Sequence, residues 1–283
     1  MTRWLAAPGA LGRRVERGFC RLTAARRALP DFVIVGAQKA GTTSLFAYLS
    51  QHPDLLPSRV KEVHYFDGGL DPAVDTYALG PNWYRSHFPL RSSVGPAQRT
   101  FEASPMYLFS PVAADRMRAL VPDARLVVLL RDPVERAISH YFHERRRRTE
   151  KLEPLEAMRA EEERLGPATA DADPKRFELV HFSYQARGRY LEQLERLWGS
   201  AGTDRVLVLD TDELRTDARA ALGRVCDFVG VPAPPASLDL APKNVGTDRR
   251  PVPPEVVALL ADHFRPHNER LFERLGRRFA WTP

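Results

Sequence analysis

Short apolar runs alternate with amphipathic stretches along most of the chain. Residues 32–35 (FVIV) and 125–130 (RLVVLL) are continuous hydrophobic runs bounded by charged or turn residues, the pattern of strands covered on both faces. RVLVLD (205–210) reads the same way, and RTFEAS (99–104) is a weaker fourth strand. Amphipathic stretches lie between them. In RDPVERAISHYFHERRRR, Asp132 suits a helix N-cap and Pro133 the first helical position. RGRYLEQLERLWG places Tyr190, Leu191, Leu194 and Leu197 on one side, with Gly199 as the expected stop. PEVVALLADHF and NERLFERLG read as two closing helices separated by Pro266.

Strands alternating with helices predict an α/β fold: a single domain with a central, mainly parallel sheet flanked by helices. No internal repeat or linker divides residues 31–283. Residues 144–174 are charged and poor in large apolar side chains, so the expectation there is a helical or mobile excursion over one face.

With 283 residues, 43% of them hydrophobic, the chain can bury a full core. The formal charge of +6 suggests a nucleic-acid partner until it is located. Residues 1–30 carry seven arginines and one acid, which accounts for the whole excess, and residues 31–283 are formally neutral. No nucleic-acid partner is therefore expected. The arm has no apolar run long enough for a secretory core or a membrane span. Leu11, Val15, Phe19 and Leu22 do share a helical face, so peripheral membrane contact by a basic amphipathic helix stands beside the plainer reading of a frayed or self-docked arm. Every chemical motif begins at or after Asp31, so truncation at residue 28 is expected to leave a folded protein. Two cysteines, Cys20 and Cys226, cannot form a disulfide framework, and a reducing, cytoplasmic location is expected.

The candidate chemistry starts at DFVIVGAQKAGTTSLFAYL (31–49). A strand, a loop carrying Gly36, Lys39 and Gly41, and a helix opening on Thr42, Thr43 and Ser44 together make a P-loop-like anion site. Unpaired N–H groups and the helix dipole favour negative charge there. The spacing of Gly36 and Gly41 matches a nucleotide P-loop, but Thr42 stands where that motif has its lysine. Asp132 ends a strand as a Walker-B aspartate does, yet Arg131 before it looks like a second anion contact.

VGAQKAGTTSLFAYL resembles the 5′-phosphosulfate loop of the PAPS-dependent sulfotransferases, where PAPS is 3′-phosphoadenosine 5′-phosphosulfate. RLVVLLRDPVERAISHY resembles their 3′-phosphate segment, and KEVHYFD (61–67) resembles the acceptor motif of the branch containing the heparan sulfate sulfotransferases. KNVGTDRRPVPPEVVALLADHFRPHNERLFERLG is similar in place and composition to the cofactor-covering loop and last helices.

The resemblance implies PAPS as cofactor, PAP as product, and no metal. It assigns Lys39, Ala40, Gly41, Thr42, Thr43 and Ser44 to the 5′-phosphosulfate, and Arg131 and Ser139 to the 3′-phosphate. Lys243, Arg249 and Arg250 fall in the covering loop, where contact with the 3′-phosphate is expected. Glu62 becomes the general base by likeness to the heparan-type glutamate. His64, two residues on and on the same side of an extended segment, is its rival as base, orienter or structural histidine. Glu102 ends a strand beside the site, but Ala103 stands where the heparan-type enzymes tend to carry a lysine, which argues against a polyanionic sugar. Arg145, Arg146, Arg147 and Arg148 read as a solvated face before an acidic-acceptor site. The expected activity is sulfuryl transfer to a hydroxyl, with an amine the lesser alternative; the acceptor is a small molecule, a lipid or a carbohydrate. A P-loop kinase and a non-catalytic nucleotide-binding protein are the rival readings.

Overall fold

Five strands lie in the order β2-β3-β1-β4-β5, every neighbouring pair parallel. The computed structural model describes residues 16, 18–166, 175–243 and 251–282. In chain order the elements that matter are β1 (Phe32–Gly36), α1 (Thr42–Leu49), β2 (Leu55–Pro57), α2 (Pro81–Arg85), β3 (Arg99–Ala103), α3 (Ala113–Leu120), β4 (Arg125–Leu130) and α4 (Pro133–Arg146). They continue as α5 (Pro154–Arg159), α6 (Glu161–Leu165), α7 (Phe177–His181), α8 (Tyr190–Ala201), β5 (Val206–Asp210), α9 (Thr211–Thr216), α10 (Ala218–Val229) and α11 (Pro254–Leu275).

All of β1 is buried, as its unbroken apolar run requires, and Phe32 stacks on Phe101 of β3 with ring centroids 4.8 Å apart. The chain leaves β1 toward β2 on one side of the sheet and leaves β4 toward β5 on the other. The carboxyl ends of β1 and β4 therefore flank a topological switch point, where open α/β sheets bind ligands.

The four expected strands are present to within a residue, and β2 is an addition. Three residues ending in proline carry no periodicity; Pro57 is tolerated because β2 is an edge strand paired only with β3. α8 runs through Gly199 and stops at Gly202, whose φ of +87° suits glycine alone. α11 likewise runs through Pro266 as one helix rather than two. Its first half buries Val256, Leu260 and Phe264 in one core and its second half buries Leu271 and Phe272 in another, which offsets a proline cost of about 3 kcal/mol.

Of the excursion expected over residues 144–174, the described part, 144–166, is helical as one of its two readings had it, but it belongs to a core rather than lying over a face. Ala157 and Met158 of α5 are fully buried against α4 and α11, and Glu144, Glu150 and Glu161 are enclosed with partners. The charge of this stretch is paired rather than solvated: Glu150 is held by Arg164 at 2.6 Å and by the Tyr184 hydroxyl at 2.9 Å.

The described part of the basic arm also packs onto the domain. Residues 18–22 are helical, and Cys20 and Ala24 are buried. Arg27 is 4% exposed, donating to Phe88 O at 2.6 Å and Thr23 Oγ1 at 2.9 Å. Packing thus begins before residue 30. Of the amphipathic face, Leu11 and Val15 lie outside the described residues, while Phe19 and Leu22 point outward.

Candidate functional site

Residues 36–44 wrap the carboxyl end of β1 and enter α1 through Gly41, whose φ of +92° favours glycine. The loop's carbonyls are tied inward. Arg131 Nη1 donates to Lys39 O at 3.1 Å, and the Thr211 hydroxyl sits between Ala40 O at 2.7 Å and Leu130 O at 2.6 Å. Ala37 N donates to Leu129 O at 2.7 Å. The N–H groups of Gly41, Thr42 and Thr43, and the hydroxyls of Thr42 and Thr43, have no partner among the described residues. The N–H of Ala40, assigned to the phosphosulfate, is instead spent on Ala37 O at 3.1 Å, so the free donors are those of residues 41–43, at the helix start where an anion is favoured.

Lys39 brings the full charge. Burial, then the charges of Arg146 and Arg131, pull its ammonium down to about 8, with Glu144 and Glu62 opposing. Three cations around one loop is an unfavourable field that a polyanion would relieve. Arg146 belongs to the run read as solvated; Arg145 is pinned to Glu153 at 2.7 Å, whereas the Arg146 charge reaches Lys39.

Arg131 follows β4. Its Nε and Nη2 hold Glu135 at 3.1 and 2.9 Å. Asp132 caps α4, accepting from Val134 N at 2.8 Å with one oxygen and from Thr282 N at 2.8 Å with the other. Both of its oxygens are committed to hydrogen bonds, unlike a carboxylate aimed at a nucleotide-bound magnesium. Ser139 is half-buried two turns along α4, its hydroxyl without a partner among the described residues.

Ser44 departs from expectation. Its hydroxyl accepts from Lys243 N at 3.0 Å and donates to Lys243 O at 3.1 Å, so it anchors main chain rather than presenting a donor to a phosphate. Tyr48 and Gln51, at i+4 and i+7 on the same face, hold Leu240 O at 3.0 Å and Asp239 O at 2.9 Å. The Lys243 ammonium pairs with Asp239 at 2.6 Å rather than entering the loop. Arg249 and Arg250 lie outside the described residues.

The acceptor motif is not extended. Glu62 and His64 both have positive φ, 64° and 52°, and these left-handed turns, not strand alternation, set their side chains together. His64 Nδ1 meets Asp67 Oδ2 at 2.7 Å, and its Nε2 lies 3.7 Å from Glu62 Oε2, a charge contact beyond hydrogen-bond range. Burial lowers the His64 pKa, but Asp67 and Glu62 more than offset it and raise the imidazole to about 9. Glu62 is held down at about 2, by His64 first and, against partial burial, by Lys61. His64 is thus an imidazolium between two carboxylates, and Glu62 the carboxylate with a solvent-facing side.

Glu102 is what holds that turn. Fully buried, it accepts from the hydroxyls of Tyr84 at 2.7 Å, Ser104 at 2.7 Å and Tyr107 at 3.1 Å, and burial raises its pKa against those three bonds. The lone pairs left on Ser104 and Tyr107 receive His64 N at 3.2 Å and Tyr65 N at 2.8 Å. Tyr84, Ser104 and Tyr107 carry no motif signal; only the glutamate inside an apolar strand hinted at them.

A second support was read as a mere helix start. Arg187 Nη1 donates to Gln38 Oε1 beside Lys39, and the Tyr190 hydroxyl donates to Arg131 O at 2.8 Å. A Cβ on Gly188 would meet Phe264 Cε1 at 2.4 Å and Pro133 Cβ at 3.0 Å. The stretch 187–190 therefore braces both anion-binding segments.

A family model described as "Sulfotransferase domain" matches residues 29–247. The chain is 30% identical over 296 residues to human (Homo sapiens) heparan sulfate glucosamine 3-O-sulfotransferase 6, with 97% of this chain and 78% of that protein covered. It is 31% identical over 208 residues to mouse (Mus musculus) bifunctional heparan sulfate N-deacetylase/N-sulfotransferase 4, covering 72% of this chain but 22% of that protein. A sulfotransferase from Alicyclobacillus acidocaldarius superposes with a TM-score of 0.71 at 30% identity, over 89% of this chain and 98% of that one.

Proposed function

Because the chain belongs to the sulfotransferase-domain family, we propose that it transfers a sulfuryl group from PAPS to an acceptor hydroxyl by in-line displacement. The observation that carries this reading is the contact of Arg131 Nη1 with Lys39 O, which joins the two anion-binding segments at the switch point beside Glu62. The donor set fits a ligand with phosphates at two positions: outward N–H groups and Lys39 for one, Arg131 with the unpartnered Ser139 hydroxyl for the other.

PAPS supplies an activated sulfuryl group. The rest is the work of the chain's own residues. Lys39 and the α1 N-terminus stabilise negative charge at the 5′ end, a preorganised electrostatic contribution. Glu62 Oε2 accepts the proton of the acceptor hydroxyl. The His64 imidazolium, fixed by Asp67, orients Glu62 and, with its pKa raised to about 9, is mostly protonated at neutral pH. Both curated relatives are named for heparan sulfate, which supports a carbohydrate acceptor; Ala103 in place of the heparan-type lysine favours a less anionic one.

Two further assignments belong to the same reading. Phe19 and Leu22, 53% and 89% exposed next to Arg21 and Arg26, support peripheral contact with an anionic membrane surface, and Leu22→Glu should abolish co-sedimentation with anionic vesicles. The unpaired Cys20 and Cys226 support a cytoplasmic location.

Calorimetry with PAP and AMP tests the cofactor. PAP should bind about ten- to a hundredfold more tightly, a preference lost in Arg131→Ala. Equal affinities in the unmodified protein would remove the assigned 3′-phosphate pocket.

A further inference from the structure

Two arginines that make no catalytic contact are enclosed behind the anion loop. Arg136 of α4 is 0% exposed and Arg187 is 2% exposed. Both line one cavity of about 10 Å³, with the amides of Gln38 and Gln193 and an apolar wall that includes Ala37 and Phe109.

Arg187 is saturated with hydrogen bonds, to Ser183 Oγ at 2.6 Å, Gln38 Oε1, Leu179 O at 2.9 Å and Val180 O at 2.8 Å. Arg136 is not: Nη2 reaches Tyr184 O, while Nε and Nη1 are buried with no partner. Neither guanidinium has an ion pair among the described residues. The acids that influence them are Glu161 for both, and Glu144 and Asp67 for Arg187. Each of these has nearer partners: Gln185 N at 2.5 Å and Ala186 N at 2.8 Å for Glu161, His181 Nδ1 at 2.9 Å for Glu144, and His64 Nδ1 for Asp67.

A guanidinium does not shed its proton to escape burial. Two of them in one cavity leave unsatisfied donors and uncompensated charge, each strongly unfavourable. A water molecule would answer the donors but not the charge. At about 10 Å³ the cavity is at the lower bound for one water-sized sphere, so a halide enters only as the lining gives by a few tenths of an ångström, and a tetrahedral oxyanion is excluded. We infer that this cavity is a binding site for a single monovalent anion such as chloride, held by Arg136 Nε and Nη1 and by the Gln38 amide beside them, the Gln193 amide being spent on Arg187 O and Arg189 O at 3.0 Å. Burial and the Arg136 charge, which depress Arg187 to about 9, are in keeping with a missing counter-charge.

The test uses the full-length protein without cofactor. Crystals grown in sodium bromide should show an anomalous peak inside the cavity against Arg136. Thermal unfolding at fixed ionic strength should rise saturably when gluconate is replaced by chloride, by about 2–5 °C at tenfold excess over Kd. Arg136→Met should lose that chloride response; the bromide experiment on the unmodified protein stands whether or not the variant folds. Water density without an anomalous peak, bromide confined to the surface, or equal unfolding temperatures in the two salts would each overturn the assignment.

Discussion

Lys39 sets the alkaline limit of the site. Its ammonium titrates near 8 in the ligand-free protein, and an anionic ligand favours the charged form, so PAP affinity should fall as pH rises through about 8. Lys39→Arg stays charged and should flatten that fall between pH 7 and 9, as calorimetry would read; an unchanged slope would place the titration elsewhere. The same lowered value means that Lys39 subtracts stability while charged, and this penalty fades between about 8 and 10.5. His64 has the opposite sign: raised to about 9, it adds stability below 6.5 that disappears as pH climbs through 9. Glu62→Gln should leave PAP binding intact while single-turnover transfer drops by about 10² to 10⁴. Near-full transfer in that variant, with His64→Ala inactive, would make histidine the base.

At the level of elements, the two anion segments depend on parts of the chain that touch no ligand. Gly188 is confined between Pro133 and Phe264, so Gly188→Ala forces α8 away from α4 and α11 and should cost about 1–3 kcal/mol. Differential scanning calorimetry would show this as a Tm lower by several degrees; an unchanged Tm would mean that the helices yield without cost. Tyr190→Phe removes the hydrogen bond on Arg131 O and should narrow the preference for PAP over AMP by about two- to tenfold. The stripe Ser44 and Tyr48, continued by Gln51 just past the helix end, gives α1 two tasks: its first turn faces the anion, and this face clamps residues 239–243.

For the molecule as a whole, the arm and the excursion are structural. Deleting residues 1–28 removes Cys20, Ala24 and Arg27 from buried positions and leaves Phe88 O without its donor. The truncated protein should therefore unfold at a lower temperature than the intact chain, in contrast to the truncation at 28 that the motif positions alone would allow. Equal unfolding temperatures would show that the docking contributes nothing. The two cores meet along α11, which buries one half in each.

What could be read from residue order is what the backbone decides over a few positions. Strand runs, the N-cap Asp132 before Pro133, and the glycine-bearing turn at 36–41 are set by sterics and hydrogen bonds within about four residues, so four of the five strands and both anion segments were legible. The resemblance located Glu62 and His64 but not how they meet, since their left-handed turns depend on hydroxyls 40 and 42 residues away. Gly199 and Pro266 read as breaks because local propensity says so, and packing overrode both. Ser44 faces a phosphate by its position in a motif and a carbonyl by its place in the fold. The buried acids of 144–161 look like surface until their partners arrive from elsewhere in the chain. A polar group's partner is chosen by distance in space, and only the packed chain has that distance.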